Sequence, residues 1–471
     1  MRYLFAVSVG PVQSFIAAAR KVRDLHAGSW ILSETAKAAA KRLVEAHGEL
    51  VFPFAGGDLE PRAAFTASNK ILAVVESESP AELAVAAREA ARLRLIGLCG
   101  ELRDHPHHDA ARLLEHVDEL LEFYAAWAPF PEGGDYKALY AEVEALLNAR
   151  KMTRAFPQHV GKPGLLKSSL DGMRESILPN KKTRATDTRV DPDEELDGTG
   201  FLKRFVRLND DLRFDSVRDL ARKPYGDNAK RGDDFYYAIL VADGDSMGEA
   251  ISGMDRIQQQ SFSGRLSQFA AALRNRLDDD LECMTVFAAG DELIAMVPLH
   301  RLVQAAKTVH DTFAEIVCTD GAPFTISSGI AIVHEMEPLD GAREMAKKAK
   351  RDAKDLNGKN ALCIIEVPRS GAPVSVAGKW DWMLPALRAV VSAYAEKTLS
   401  YGFGHELWDL LIRTPDELED ALPKLALALA RHKEEQAAAR LVESNADRLN
   451  DLLGVMLVAR KMARAGEATK R

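Results

Sequence analysis

The chain has 471 residues, 47% hydrophobic and 28% charged, enough to bury several cores and to predict about three or four domains. Its 62 Lys and Arg against 70 Asp and Glu give a formal charge of -8, which excludes nucleic-acid binding through bulk positive charge and confines any basic surface to a patch. Four scattered cysteines, Cys99, Cys283, Cys318 and Cys363, form no Cys-x-x-Cys pair. That excludes a disulfide framework and a cysteine zinc site, so no zinc is expected and a cytoplasmic location fits. The apolar run Tyr3 to Val9 stops at Gly10-Pro11, too short for a signal peptide or a membrane span, and no membrane partner is expected.

In chain order, strand Tyr3 to Val9 leads into one helix from about Val12 to Ala46, strand Leu50 to Phe54, a loop, strand Lys70 to Val75 and helix Ala81 to Leu102. The same order returns later: strand Phe235 to Ala242, helix from about Ser246, strand Met284 to Ala288, a tight turn, strand Leu293 to Val297 and helix Leu299 to Val317. Gly10 and Asp58 are separated by 48 residues, as are Asp243 and Asp291. Strand Phe324 to Val333, amphipathic helix Leu339 to Leu356 and strand Ala361 to Val367 complete a ferredoxin-like sheet, the shape of a polymerase or cyclase palm. The predicted fold is α+β: a first palm at 1–110, an inserted, mostly helical module at 111–230, a second palm at 231–372 and a C-terminal helical bundle at 373–471. Within the module, Lys181, Lys182, Arg184 and the acidic run Asp191 to Glu195 read as a polar loop.

The chemistry gathers in the second palm. Its first strand runs into Asp243-Gly244-Asp245-Ser246-Met247-Gly248, a carboxylate at a strand end beside a helix start, where glycines admit a phosphate and free N–H groups receive it. Alone, such a turn is usually a solvated loop. The second observation is Gly290-Asp291-Glu292, two adjacent acids at the tip of an apolar hairpin. If a palm sheet brings them beside Asp243, the three acids can hold two Mg²⁺ or Mn²⁺ ions, whereas an isolated hairpin of this kind keeps its acids in water. Third, seven basic residues from Arg343 to Lys359 face Glu344, Asp352 and Asp355. Most read as a solvated helix face, with Lys354 and Lys359 singled out as phosphate clamps.

Together with Gly10-Pro11-Val12-Gln13-Ser14-Phe15-Ile16, Asp24 to Ser29, Ala149 to Phe156, Ser169-Leu170-Asp171-Gly172 and Ser328-Gly329-Ile330-Ala331, these motifs resemble the large palm-containing subunit of type III-B CRISPR effector complexes. That palm is similar to diguanylate cyclase (GGDEF) domains, whose helix ends in a pattern echoed by Ala353-Lys354 and Gly358-Lys359-Asn360, with one extra residue between lysine and glycine. The resemblance implies a nucleotidyltransferase that joins ATP into cyclic oligoadenylate messengers when the complex, with its other subunits and guide RNA, binds target RNA. Asp243, Asp291 and Glu292 would then be the catalytic metal ligands, and Gly244, Asp245, Ser246, Met247, Gly248, Gly290, Lys354 and Lys359 would surround the ATP.

The chain departs from that pattern in three places. Ala289 stands where the family hairpin has its first glycine, and its methyl is expected to crowd an adenine or the backbone. No nuclease domain of the HD type precedes the first palm, so no DNA cleavage is expected. Ser168, Ser169 and Asp171 stand where relatives place zinc-binding cysteines, making that region a degenerate zinc ribbon held by packing. The run His105, His107, His108, Asp109 reads as a solvated helix start. The first palm, with Gly10 at its strand end, reads as silent. The segment Lys203 to Arg231, nine basic against five acidic residues, reads as a solvated face before an RNA contact. Two other functions stay open: a scaffold subunit of the same complex without activity, and a free-standing nucleotide cyclase.

Overall fold

The structure, a computed structural model, describes residues 1–102, 105, 108–153, 161–179, 189–208, 216–228, 234–319, 324–413, 421–433 and 435–469. They form two compact units, one of residues 1–214, 246–271 and 286–290, the other of 215–245, 272–285 and 291–471.

The first unit opens with β1 (Arg2–Gly10), α1 (Gln13–Ala17), α2 (Val22–Glu45), β2 (Glu49–Phe52), β3 (Lys70–Glu76) and α3 (Pro80–Gly100). The one long helix expected up to Ala46 is therefore two, broken at Ala18–Lys21. Next come α4 (Ala110–Asp118), β4 (Glu122–Pro129) and α5 (Tyr136–Met152). β4 is a second correction: a stretch expected to be helical is a strand, in which Tyr124, Ala126 and Ala128 alternate inward. It pairs antiparallel with β1 from Tyr3↔Pro129 to Gly10↔Glu122, giving a sheet ordered β2-β3-β1-β4, so this sheet draws on chain beyond residue 110. Both faces are covered. Phe5, Val7 and Val9 pack with Ala36, Ala39 and Ala40 of α2 and Ala87 and Ala91 of α3. Leu4 and Ala6 pack with Tyr136, Leu139 and Val143 of α5.

Further along, α6 (Gly198–Phe205) buries every residue. This corrects the solvated-face reading of Lys203 to Arg231 at its start. The Arg204 guanidinium donates to Asp24 at 2.7 and 2.9 Å and to Glu194 at 2.8 Å, and Lys203 Nζ donates to the Phe15 carbonyl at 2.7 Å. Burial pulls the Lys203 ammonium down to about 8. A buried guanidinium with two carboxylates is a structural tie, because removing one partner would strand the other's charge. Residues 209–215 and 229–233 of that segment, and the basic loop at Lys181, Lys182 and Arg184, lie outside the described residues. Around Ser168 to Asp171, small hydrogen-bonded turns hold the chain: Ser169 Oγ donates to the Glu195 carbonyl at 3.1 Å, and Asp171 Oδ1 accepts from the Met173 N–H at 2.9 Å. The half-buried His105 and His108 rings pack on Phe205 and Phe201, while Asp109 caps α4 by accepting from the Arg112 N–H at 3.1 Å. His107 is outside the described residues.

From residue 217 the elements are α7 (Val217–Arg222), β5 (Tyr236–Gly244), α8 (Met247–Ser252), α9 (Arg256–Leu281), β6 (Met284–Ala289), β7 (Glu292–Pro298), α10 (Leu302–Ile316), β8 (Ile326–His334), α11 (Leu339–Asp355), β9 (Ala361–Val367) and β10 (Val374–Lys379). The second sheet is ordered β10-β9-β8-β5-β7-β6, and its β6-β7-β5-β8 portion repeats the first sheet's β2-β3-β1-β4. β9 adds parallel to β8, β10 antiparallel to β9. β10 is the third correction, since the chain beyond Pro373 was expected to be helical throughout. Helices α12 (Trp380–Ala395), α13 (Phe403–Arg413), α14 (Leu422–His432), α15 (Gln436–Ser444) and α16 (Leu449–Ala468) follow as expected. The chain thus adopts the α+β class predicted, with two palm-like sheets and C-terminal helices. Among the described residues, no helix is long and apolar enough to cross a membrane.

Candidate active site

β5 is buried along its length except at Asp243, whose side chain is 20% exposed at the strand's carboxyl end. Seven apolar or small residues anchor the strand so that one carboxylate emerges where the sheet stops. Asp243 pairs with Ser327 on β8, and two positions along β8 is Gly329. A Cβ on Gly329 would lie 2.0 Å from the Lys350 backbone nitrogen and 2.6 Å from the Ala346 carbonyl oxygen. Only glycine admits α11 this close. The facing side of α11 is a run of small residues, Ala342, Ala346, Ala349 and Ala353, all fully buried. The sequence motif around Gly329 is thereby explained as a docking surface for a basic helix.

That close approach delivers two lysines to one carboxylate. Lys354 Nζ donates to Asp243 Oδ2 and, at 2.9 Å, to the Gly244 carbonyl; Lys350 Nζ donates to the same Oδ2 at 3.3 Å. One turn apart on α11, they share a face. The sequence reading reached Lys354 and missed Lys350, because seven cations on one helix look alike until Gly329 and the alanine run show which side meets the sheet. Lys347 and Lys348 instead pair with Glu344 at 2.9 Å and Asp352 at 2.6 Å on the solvent side. Lys359 sits in the turn after α11 with φ +49, its N–H bonded to the Leu356 carbonyl at 2.8 Å.

Asp291 and Glu292 open β7, which pairs with β5 from Ala242↔Leu293. Loss of water around the turn and, second, the charge of Asp243 push the Asp291 carboxyl up to about 6. Glu292, though exposed at its outer edge, is raised by the same two causes in the same order, against the pull of Lys350 and Lys354. Among the described residues no three of His, Cys, Asp and Glu stand close enough to share a metal ion. Asp291 and Glu292 both feel the charge of Asp243 without the three forming a preassembled ligand set, which qualifies the convergence expected from sequence. The residues nonetheless suit a hard divalent cation: their donors are carboxylate oxygens, and a bound cation would favour the ionised form of Asp291 that burial and the charge of Asp243 disfavour.

Asp245 was expected beside a nucleotide. It is 7% exposed, and its Oδ2 accepts from Thr325 Oγ1 at 2.8 Å, Ser327 Oγ at 3.0 Å and the Asn360 N–H at 3.0 Å. Its role in the structure is to fasten the loop after Asp243 to β8 and to the turn after α11. Immediately beyond, Ser246 takes a left-handed backbone, φ +54, a conformation that side chains adopt at a cost and that clusters at functional loops. In the hairpin, Ala289 is the last residue of β6 and stays in strand conformation, so its methyl costs the backbone nothing. Gly290 makes the turn at φ +61 with open space around it, which asks for glycine by conformation and not by room. Asp243, Gly244, Asp245, Asp291, Glu292, Lys354 and Lys359 belong to one compact unit; Ser246, Met247, Gly248 and Gly290 belong to the other.

Residues 236–363, from β5 to the start of β9, match the family model of Cas10/Cmr2, second palm domain. Over that stretch the chain is similar to the Cas10/Cmr2 palm. Residues 4–96 match a second model, CRISPR-associated protein Cmr2, N-terminal. The Cmr2 subunit of the Pyrococcus furiosus CRISPR Cmr system is 29% identical over 177 residues, an alignment covering 31% of this chain and only 20% of that subunit. Among solved structures, a type III-B Cmr-beta complex in its apo state matches with TM-score 0.66 at 11% identity over 90% of this chain and 77% of the other. A Csm1–Csm4 cassette in complex with cA4 gives 0.57 at 13% over 99% and 70%, and the cassette with one ATP gives 0.54 at 14% over 97% and 70%. At such identities these likenesses speak for the fold alone.

Proposed function

We propose that this chain is the large subunit of a type III-B CRISPR effector complex, acting in the cytoplasm with other effector subunits, guide RNA and target RNA, and that its second palm joins ATP into cyclic oligoadenylates when target RNA binds. The observation that carries the reading is the charge arrangement at the end of β5: Asp243 within electrostatic reach of Asp291, beneath the lysines of α11, inside the stretch that matches the Cas10/Cmr2 second palm. The structural relatives solved with ATP and with cA4 support the choice of nucleotide. We assign the first palm to residues 1–110 extended by β4 and α5, the module to the stretch before 231, the catalytic palm to 231–372 extended by β10, and the remainder to the helical bundle.

In this reading Asp243, Asp291 and Glu292 hold two Mg²⁺ or Mn²⁺ ions. When bound, the ions lower the pKa of an attacking 3′-hydroxyl and offset charge on the departing pyrophosphate. The chain's own residues do the rest. Asp245 fixes the backbone after Asp243, which presents Gly244 to the triphosphate. Gly290 turns the hairpin so that Asp291 and Glu292 face Asp243. Lys354, in the last turn of α11, and Lys359 supply positive charge for the phosphates.

The competing reading, a palm that scaffolds without catalysis, draws on two observations: Asp243 is already held by two lysines, and among the described residues no three acids stand in ligand positions. The assembled complex, incubated with labelled ATP, Mn²⁺ and matching target RNA, separates the two. Oligoadenylates that require target and vanish in Asp243→Ala/Asp291→Ala establish catalysis; absence of product from a complex that still binds RNA establishes the scaffold.

A further inference from the structure

Two ammonium groups on one carboxylate oxygen are more than an ion pair needs. Lys354 alone would neutralise Asp243, and it also bonds the Gly244 carbonyl; Lys350 adds a second cation at 3.3 Å from the same Oδ2. All three side chains are 20 to 24% exposed, so water and ions reach them. Neither lysine has reached Asp243 by flexibility alone. The alanine face of α11 and the bare Cα of Gly329 bring the helix backbone against β8, and that register sets both lysines over the strand end. Beside them, Asp291 and Glu292 add negative charge that acts on the same strand end, countered by Lys354 at both and by Lys350 at Glu292.

Resting on the reading of Asp243 and Asp291 as a divalent-cation site, we propose that Lys350 and Lys354 form a cation latch. Their ammonium groups occupy Asp243 Oδ2 in the metal-free state, and entry of a divalent ion and release of the lysines are one exchange. The physical reason is charge: an ion ligated by this carboxylate brings two positive charges into contact with two ammonium groups already bound there, and the like charges separate. The latch keeps the acids compatible with a folded strand end before metal arrives and sets a threshold for metal entry. Lys350, unassigned by sequence, is thereby a positioning residue whose partner changes with the state of the site.

The test uses the full chain and Mn²⁺ alone. Lysine reactivity is read by pulsed reductive methylation and peptide mass spectrometry, and Mn²⁺ binding by the electron paramagnetic resonance signal of the free ion. By linkage, Mn²⁺ frees the lysines by the factor through which the lysines weaken Mn²⁺. The latch therefore predicts that methylation of Lys350 rises roughly fivefold or more along the Mn²⁺ binding curve, and that Lys350→Met/Lys354→Met tightens Mn²⁺ by a comparable factor. The isosteric Asp243→Asn should release Lys350 with no metal present. Saturable Mn²⁺ binding with Lys350 reactivity unchanged overturns the latch and leaves the metal site standing. If neither the wild-type chain nor the lysine variant binds Mn²⁺, the metal-site reading falls and the latch falls with it.

Discussion

The two palms share a strand order, β2-β3-β1-β4 in the first and β6-β7-β5-β8 in the second, yet they use charge in opposite ways. In the second, the first strand ends in Asp243 and its hairpin is a tight turn at Gly290-Asp291. In the first, the strand ends in Gly10, and residues 53–69 replace the turn with a loop in which Asp58 bonds the Glu60 N–H at 2.9 Å. The first unit spends its acids on structure: Asp24 and Glu194 are sealed around Arg204, and Glu34 is sealed with Lys37 and Arg94. The second leaves its acids crowded at a strand end. One topology thus serves as a framework where carboxylates are paired during folding and as a site where Asp243, Asp291 and Glu292 crowd one strand end under two lysines of a single helix.

The sharpest way to break this comparison is to unpair the framework. Asp24→Ala leaves Arg204 buried against one carboxylate and should cost ~3–5 kcal/mol of stability in a denaturant titration; a loss under about 1 kcal/mol would show the tie to be dispensable. In the assembled complex, Asp243→Ala should lower oligoadenylate formation about 100-fold or more, the scale for losing a metal ligand or electrostatic stabiliser. The matching change in the first palm, Asp58→Ala, should stay within about twofold. Equal losses from the two would erase the distinction between the palms.

Smaller still is the effect of Gly329→Ala, whose Cβ would meet the Lys350 backbone nitrogen at 2.0 Å. Lifting α11 should cost ~2–3 kcal/mol and, in the same samples, raise the reactivity of Lys350 and Lys354. The smallest concerns pH. The Asp291 carboxyl is pushed up to about 6 in the fold, above its unfolded value, so it contributes stability that is fully present below pH ~4 and lost as pH rises through 6. Metal-free Asp291→Asn should therefore exceed the wild type by ~1–2 kcal/mol at pH 7 and lose that advantage toward pH 4. A constant difference across that range would mean the carboxyl is not strained.

How much of this was legible in the sequence depended on where each signal's partner lay. The strands of both palms announced themselves by apolar runs ending at acids or glycines, and the equal spacing from Gly10 to Asp58 and from Asp243 to Asp291 exposed the repeat. β4 and β10 were missed: Ala125, Ala126 and Ala128 suit a helix as well as a strand, and Val374 to Lys379 is a short strand ahead of a long Ala- and Leu-rich helical stretch. Their strand character comes from β1 and β9, which pair with them. Lys203 and Arg204 looked like surface cations because Asp24 lies far away in the chain. Lys350 was hidden in a run of like charges until the backbone contact at Gly329 picked out its face.

The central claim is that the divalent ions and the nucleotide belong to Asp243 and Asp291 and not to the corresponding ends of the first palm. Crystals of the chain grown with ATP and Mn²⁺ and measured at the manganese absorption edge test it directly. The account predicts anomalous density against the carboxylates of Asp243 and Asp291, with Lys350 moved off Oδ2 and no density beside Gly10 or Asp58. Bound ATP with no manganese at Asp243 and Asp291, or manganese seated only in the first palm, would contradict it.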